Sequence, residues 1–135
     1  MSRLEGKVAI ITGGNSGVGA ATAKLFAKEG AKVVITARRE AKLEEVAAAI
    51  REDGGEVLPV VTDISKKGDA DKLVAKVMEV YGKVDILVNN AGVLEEGLKP
   101  IDRFVEDELN YVFNINTKGT LYCTRAVLKD MIKKF

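Results

Sequence analysis

Glycines cluster where a short apolar run gives way to a helical pattern, and this arrangement suits the binding of phosphate. The segment from Thr12 to Gly19 follows the run 8–11 and contains Gly13 and Gly17 as well as Gly19. A helix N-terminus offers unpaired amide hydrogens and about half a positive charge, and both favour an anion. Glycine allows close approach to the backbone and the unusual angles of the turn. We therefore predict phosphate binding here; the alternative is a glycine-rich structural turn.

The residues after the second predicted strand bear on which nucleotide binds. In dinucleotide sites a carboxylate about 20 residues after the glycines usually holds the ribose hydroxyls. This chain has Thr36-Ala37-Arg38-Arg39 there, with no carboxylate at position 36 or 37. The missing acid removes repulsion toward a 2′-phosphate, and the Arg38 guanidinium is suited to bind one and to stack on adenine. We predict NADP(H) rather than NAD(H); the alternative is that both arginines are solvated surface residues.

Four short apolar runs alternate with helical patterns along the chain. We predict strands at 8–11, 32–36, 57–62 and 84–89. This alternation indicates parallel strands joined by right-handed crossovers, and Pro59, which has no amide hydrogen, places the third strand at a sheet edge. We predict an α/β, Rossmann-like fold of three αβα layers, with a parallel sheet of at least four strands in the order 3-2-1-4. It would be a truncated doubly wound fold, forming one dinucleotide-binding domain over residues 1–135.

The helical segments show apolar residues at helical spacing. In the first helix, which we expect to end at Gly30, one face carries Val18, Thr22, Leu25, Phe26 and Glu29. The second carries Leu43, Val46, Ala47 and Ile50, and the third, for which Ser65 is the expected cap, carries Leu73, Val77, Val80 and Tyr81. The last carries Leu121, Thr124, Leu128 and Ile132. Asn114, Asn116, Thr117 and Gly119 are poor interior helix residues, so we expect a bend or a functional role there.

Composition narrows the class of protein. The chain has 135 residues, 47% of them hydrophobic, and a net charge of +1, so we expect one globular domain without a nucleic-acid or membrane partner. Cys123 is the only cysteine, and the chain contains no histidine. We therefore expect a reducing, cytoplasmic location and no metal site.

Four motifs make the chain resemble the short-chain dehydrogenase/reductase family. Residues 12–19 match Thr-Gly-x-x-x-Gly-x-Gly, and Asp63-Ile64 follows the third strand. Asn89-Asn90-Ala91-Gly92 follows the fourth strand, and Asn116-Thr117-Lys118-Gly119 matches Asn-x-x-Gly. The motifs come in order over nearly the whole chain. The resemblance implies an oxidoreductase that transfers hydride between NADP(H) and an alcohol or ketone substrate.

The resemblance also implies a role for each motif. The pyrophosphate would be bound by Gly13, Asn15, Ser16, Gly17, Val18 and Gly19. Arg38 would meet the 2′-phosphate, and Asp63 and Ile64 would flank adenine. The nucleotide's path would be lined by Asn90, Ala91 and Gly92. Asn116 would bend its helix and hold a water in the proton relay, which makes it the one catalytic residue that the resemblance assigns to this chain.

Each implied role has a structural alternative. Asp63 favours helix ends and is a candidate cap. Asn89 and Asn90 tolerate left-handed geometry and are candidate turn residues. For Asn116, the alternative is that it only bends its helix.

The family's proton-transfer residues do not appear in the sequence. The resemblance implies a tyrosine with a lysine four residues later, together with a serine. The residues four after Tyr81, Tyr111 and Tyr122 are Asp85, Ile115 and Ala126. We therefore expect the cofactor-binding portion of a truncated enzyme, inactive alone. The alternative is a catalytically silent nucleotide-binding or self-associating folding module.

A sheet ending at its fourth strand would leave an apolar edge with unpaired backbone groups. Such an edge recruits another strand. We therefore predict a homo-oligomer paired about a two-fold axis, through this edge or through the final helix. The alternative is that the chain is one fragment of a longer protein.

Overall fold

In the computed structural model, which describes residues 2–15, 17–92 and 105–133, strands alternate with helices from Val8 onward. The strands are β1 (Val8–Thr12), β2 (Lys32–Ala37), β3 (Glu56–Val61) and β4 (Ile86–Val88). The helices are α1 (Gly17–Lys28), α2 (Glu40–Glu52), α3 (Lys67–Tyr81), α4 (Glu106–Phe113) and α5 (Thr120–Ile132). A π-helical segment, Asn114–Gly119, joins the last two helices. The predicted alternation of strands and helices is confirmed.

The strands form one parallel sheet in the predicted order β3-β2-β1-β4. The edge position predicted for β3 is also confirmed, and Pro59 lies opposite Ile35 of β2. Because the strands are parallel, their carboxyl ends share one edge of the sheet, where ligands bind in open α/β folds. The segments that follow the four strands therefore meet at this edge.

Alternate residues of the central strands enter two separate cores, so the sheet is the middle of three layers. Ile11 and Ile35 pack against α1 and α2 on one face. Ile10 and Val34 pack against α3 and α5 on the other. All four side chains are fully buried. This explains why the strands are continuous apolar runs rather than alternating patterns.

The packed face of α1 differs from the predicted one. Its buried residues are Gly19, Ala20 and Ala23, whereas Val18 and Leu25 are exposed. Small side chains let the start of the helix lie close to the glycine loop and the sheet. A hydrophobicity pattern misses such a face because glycine and alanine carry little apolar signal.

The last helical region also packs differently from its apolar pattern. In α5 the buried residues are Cys123, Ala126 and Val127, and the stripe of Leu121, Leu128 and Ile132 is exposed. The predicted irregularity before α5 takes the form of a π-helix. Its i to i+5 hydrogen bonding widens one turn and shifts the side chains that follow.

Helix α3 does not begin with the side-chain cap that the sequence predicts. The residue preceding the helix is Lys66, which makes no side-chain cap, so the cap predicted at Ser65 is wrong. The Ser65 hydroxyl instead donates to the Asp63 carboxylate. Within the described residues, no helix has both the length and the apolar character needed to span a membrane.

Candidate nucleotide-binding site

The loop between β1 and α1 is fixed to the end of β2 by backbone hydrogen bonds. The amides of Gly13 and Gly14 donate to the Thr36 carbonyl oxygen at 2.9 and 3.3 Å. A β-carbon at Gly14 would lie 2.8 Å from two side-chain atoms of Ile35. Close packing therefore requires glycine at this position. We assigned Gly14 no role from the sequence because the motif leaves its position variable.

Gly17 and Gly19 meet two different constraints at the start of α1. Gly17 has a φ of +55°, and none of the described atoms outside its chain neighbours would lie within 4 Å of an added β-carbon. A β-carbon at Gly19 would collide with the Gly13 carbonyl oxygen. Gly17 is thus constrained by backbone conformation beside open space, and Gly19 by close packing.

The hydroxyl of Thr12 joins the glycine loop to the Asn-Asn-Ala-Gly segment after β4. It accepts hydrogen bonds from the amides of Asn90 and Ala91, each at 3.0 Å. The Asn90 side-chain amide in turn donates to the Gly13 carbonyl oxygen at 3.3 Å. Thr12 is only 1% exposed, so its hydrogen bonds are shielded from water. We missed this role, although a hydroxyl that ends an otherwise apolar buried strand signals a bonded group.

A cleft of about 110 Å³ lies at this edge, between the glycine loop and the ends of β2 and β3. Five of the predicted site residues line it: Gly13, Arg38, Ile64, Ala91 and Gly92. The rest of the lining comes from Thr36, Ala37, Thr62 and Ile115. A larger cavity of about 240 Å³ lies between α1 and the turn after α2, but no predicted site residue lines it. The smaller cleft is therefore the candidate site.

Arg38 extends from the end of β2 to helix α4. Its Nη2 donates to the Tyr111 hydroxyl at 2.6 Å, and its guanidinium carbon lies 5.5 Å from the centroid of the Tyr111 ring. Both side chains are exposed at the rim of the cleft. The two residues are 73 positions apart in the chain, and no motif or periodicity links them, so the sequence carries no signal for this contact.

Asp63 is held by a local turn after β3. Its Oδ1 accepts from the Ser65 hydroxyl at 2.6 Å and from the Ser65 amide at 3.1 Å. Burial by itself raises the pKa of Asp63, but these hydrogen bonds and the charges of Arg38 and Lys66 together hold the pKa below its usual value. The carboxylate is therefore charged at neutral pH, and its charge is coupled to that of Arg38.

The π-helical segment packs on two other predicted motifs. A β-carbon at Gly119 would lie 2.8 Å from Ile64 Cδ1, and one at Gly92 would lie 3.5 Å from Asn116 Oδ1. Ile115 is buried and lines the cleft, whereas Asn116 is exposed. The segment therefore forms one wall of the cleft and places Asn116 beside Gly92.

Among the predicted phosphate-loop residues that the structure describes, only Gly13 lines the cleft, and Asn15, Gly17, Val18 and Gly19 do not. Asn15 is half-buried, and Val18 is 74% exposed. Ser16 lies outside the described residues. Asn90 adjoins the cleft through its hydrogen bond to Gly13, and Asp63 lies in the chain between Thr62 and Ile64, which line the cleft.

A comparison with known families agrees with this arrangement. Residues 7–135 match the model of the family described as short chain dehydrogenase. The chain belongs to this family. It is 43% identical over 129 residues to an uncharacterized oxidoreductase of Listeria monocytogenes, and the match covers 96% of this chain and 51% of that protein. The chain thus spans about half the length of the curated relatives it matches.

Solved structures of short-chain dehydrogenases share the fold. A citronellol catabolism dehydrogenase of Pseudomonas aeruginosa matches with a TM-score of 0.89 and 34% identity, over 95% of this chain and 52% of that one. A metagenomic short-chain oxidoreductase in complex with NADP matches with a TM-score of 0.92 and 35% identity, over 97% and 59%. The predicted fold class and the predicted family are therefore confirmed.

Proposed function

We propose that this chain is the NADP(H)-binding portion of an oxidoreductase that acts on an alcohol/carbonyl pair. The observation that carries the proposal is the cleft that runs from Gly13 of the glycine loop to Arg38 at the end of β2. Family membership supports the oxidoreductase class, and the NADP complex of one structural neighbour supports the choice of nucleotide. When bound, such a cofactor supplies the hydride that is exchanged with substrate.

The residues present fit a dinucleotide. At the N-terminus of α1, the open space beside Gly17 would be filled by any side chain. Amides and a helix N-terminus at this point favour a pyrophosphate. Gly13, Asn15, Ser16, Gly17, Val18 and Gly19 would hold it. We propose that residues 1–135 act as this single dinucleotide-binding domain.

The other proposed contacts follow the cleft outward. Asn90, Ala91 and Gly92 would line the path of the nucleotide, and Asp63 and Ile64 would flank adenine. The lowered pKa of Asp63 keeps its carboxylate charged and able to accept a hydrogen bond from an exocyclic amine. The carboxylate already accepts two hydrogen bonds from Ser65, so the local turn orients it.

Arg38 would bind the 2′-phosphate that distinguishes NADP(H) from NAD(H). It lines the cleft at the end of β2, where a carboxylate would hold ribose hydroxyls in an NAD(H) site. A guanidinium gives a phosphate both charge and paired donors. NAD(H) would lack this contact and bind more weakly.

We propose that the 135-residue chain alone does not turn over substrate. Burial and the neighbouring Glu56 carboxylate raise the pKa of Tyr81 to about 12, which is the wrong direction for proton transfer near neutral pH. Tyr111 and Tyr122 lack a lysine four residues later. Asn116, beside Gly92, would hold a water of the proton relay in a complete enzyme.

Exposed apolar residues support a homo-oligomer. Leu109 and Phe113 of α4 and Leu121, Leu128 and Ile132 of α5 are all exposed. We propose that two copies pair through these helices or through the outer edge of β4, which pairs with no further strand among the described residues. Sedimentation equilibrium should show a dimer, which Leu128→Glu dissociates if the copies pair through the helices and leaves intact if they pair through β4. A wild-type monomer at high micromolar concentration would contradict the proposal.

We also propose a cytoplasmic location. Cys123, the only cysteine of the sequence, is buried. Burial raises the pKa of its thiol to about 11, which keeps it unreactive. A protein without disulfides is typical of a reducing compartment.

The decisive experiment is isothermal titration calorimetry with NADP⁺, NAD⁺, 2′,5′-ADP and 5′-AMP on two matched pairs of variants. Gly17→Val and Gly54→Val both add a side chain at positive φ beside open space, but Gly54 lies at the opposite edge of the sheet. Only Gly17→Val should abolish nucleotide binding. Binding retained by Gly17→Val would refute the phosphate site.

The second pair tests the choice of nucleotide. Arg38→Ala should weaken 2′,5′-ADP by about tenfold or more, because it removes a charge-assisted contact. It should weaken 5′-AMP much less, because that ligand loses only the stacking of the guanidinium on adenine. Arg39→Ala removes the same charge from the next residue and should change neither ligand. Equal losses for both ligands in Arg38→Ala would refute the 2′-phosphate assignment.

A further inference from the structure

We propose that Tyr111 is a positioning residue that holds the Arg38 guanidinium at the rim of the cleft and thereby sets the preference for adenosine ligands carrying a 2′-phosphate. This inference rests on the proposed function, in which Arg38 binds that phosphate. Its starting point is the pair of contacts between the two side chains. Arg38 Nη2 donates to the Tyr111 hydroxyl at 2.6 Å, and the guanidinium carbon lies 5.5 Å from the ring centroid.

The chemistry of the acceptor is suited to positioning. A phenol is uncharged near neutral pH, so it accepts a hydrogen bond without cancelling the charge of Arg38. A carboxylate in the same place would form an ion pair and compete with an incoming phosphate. A guanidinium has five N–H donors, and the Tyr111 contact uses only one nitrogen, Nη2. The other donors stay available for phosphate oxygens.

Tyr111 is carried by an element that also forms the cleft wall. It precedes Ile115 by four residues, and Ile115 is 5% exposed and lines the cleft. The buried Ile115 anchors the helical region to the cleft. Tyr111, one turn earlier, is therefore held at the rim by a helix and not by a loop. The charge of Arg38 also lowers the pKa of Asp63.

Holding Arg38 in place before a ligand arrives affects affinity. A free arginine side chain has many rotamers, and ordering it on binding opposes association. The contact with Tyr111 restricts those rotamers in advance. The gain in affinity is specific to ligands whose 2′-phosphate binds the guanidinium, so the affinity for 5′-AMP should not depend on this contact.

Calorimetry on Tyr111→Phe tests the inference, with 2′,5′-ADP and 5′-AMP as probes. The variant keeps the ring and removes the hydroxyl, so we expect about three- to tenfold weaker binding of 2′,5′-ADP and unchanged binding of 5′-AMP. Tyr81→Phe is the matched control, because the Tyr81 hydroxyl bonds to Glu56 instead and should change neither affinity. Circular dichroism and the thermal midpoint of each variant establish that it is folded.

A double-mutant cycle separates this inference from the proposed function. In an Arg38→Ala background, Tyr111→Phe should have no further effect on 2′,5′-ADP. If Arg38→Ala weakens 2′,5′-ADP but Tyr111→Phe leaves it unchanged or tightens it, the proposed function stands and the positioning role is refuted. If Arg38→Ala leaves the preference intact, the 2′-phosphate assignment fails and the positioning role fails with it.

Discussion

The two ends of the cleft are built from different parts of the polypeptide. At the glycine loop, the contacts are made mainly by backbone groups, together with two side chains, the buried hydroxyl of Thr12 and the amide of Asn90. At the rim, Arg38 and Tyr111 meet through two long, exposed side chains. The Thr12 hydroxyl is shielded from water, whereas the Arg38 and Tyr111 side chains at the rim are exposed to it.

Because of this difference, substitutions at the loop and at the rim should have different effects on stability and on ligand preference. A backbone-built site has no side chain to exchange, so most changes at the glycine loop must displace the main chain. Exposed side-chain contacts contribute little to folding stability, so changes at the rim should alter ligand preference and leave the fold intact. Three pairs of variants would test this difference by their free energies of unfolding. They are given in order of decreasing expected loss of stability.

Gly19→Ala should have the largest effect. Its β-carbon would collide with the Gly13 carbonyl oxygen, so we expect a loss of about 3 kcal/mol in the free energy of unfolding. Urea denaturation measures it. Gly68→Ala in α3 is the control, because no described atom lies within 4 Å of its added β-carbon, and it should be neutral or stabilising by up to about 1 kcal/mol. Similar stability for the two variants would show that the loop backbone moves to accommodate the added β-carbon at little cost in free energy.

Thr12→Val and Thr36→Val make the same change at paired positions of β1 and β2. Thr12→Val leaves the part-buried Ala91 amide without its acceptor and the Asn90 amide with only the Val88 carbonyl oxygen, so we expect a loss of about 2 kcal/mol. The Thr36 hydroxyl is buried without a partner among the described residues, so Thr36→Val should be neutral or stabilise by about 1 kcal/mol. Chemical denaturation distinguishes them. Equal losses of stability in the two variants would show that the hydrogen bonds of the Thr12 hydroxyl do not stabilise the fold.

Ser65→Ala should have the smallest effect, and the effect should depend on pH. The Ser65 hydroxyl lowers the pKa of Asp63 in the folded state. A lowered folded-state pKa contributes stability above the ordinary value of 3.8, and this contribution is lost as the pH falls through the lowered value. We expect a difference below about 1 kcal/mol at pH 7 that shrinks below pH 3.8.

Thr22→Val provides the control for this pH dependence. Its hydroxyl donates to the Val18 carbonyl oxygen and has no carboxylate as acceptor. The stability difference caused by Thr22→Val should therefore stay constant over the same pH range. A difference for Ser65→Ala that is equally constant would show that the hydroxyl acts independently of the charge on Asp63.

Sequence alone predicted the sheet because fully buried parallel strands are continuous apolar runs. Pro59 marked the edge strand through its missing amide hydrogen. Gly13 and Gly19 could be recognised because their constraints are backbone conformation and close packing, which only glycine satisfies. These features are encoded by residues that are neighbours in the chain.

Contacts between distant residues could not be predicted in the same way. The bonds from Thr12 to Asn90 and from Arg38 to Tyr111 join residues more than 70 positions apart. The close packing of Gly119 on Ile64 likewise follows from the path of the chain and not from a local pattern. The buried face of α1 was missed because its residues are small.

The exposure of helix α4 has a consequence for engineering. Every residue of α4 is at least partly accessible to solvent, although the π-helical segment that follows is anchored by Ile115. Randomising the α4 positions around Tyr111, apart from the proposed pairing residues Leu109 and Phe113, therefore samples new rim chemistries at little risk to the fold. Selecting such a library for binding to immobilised 2′,5′-ADP or 5′-AMP would redirect nucleotide preference without altering a single glycine.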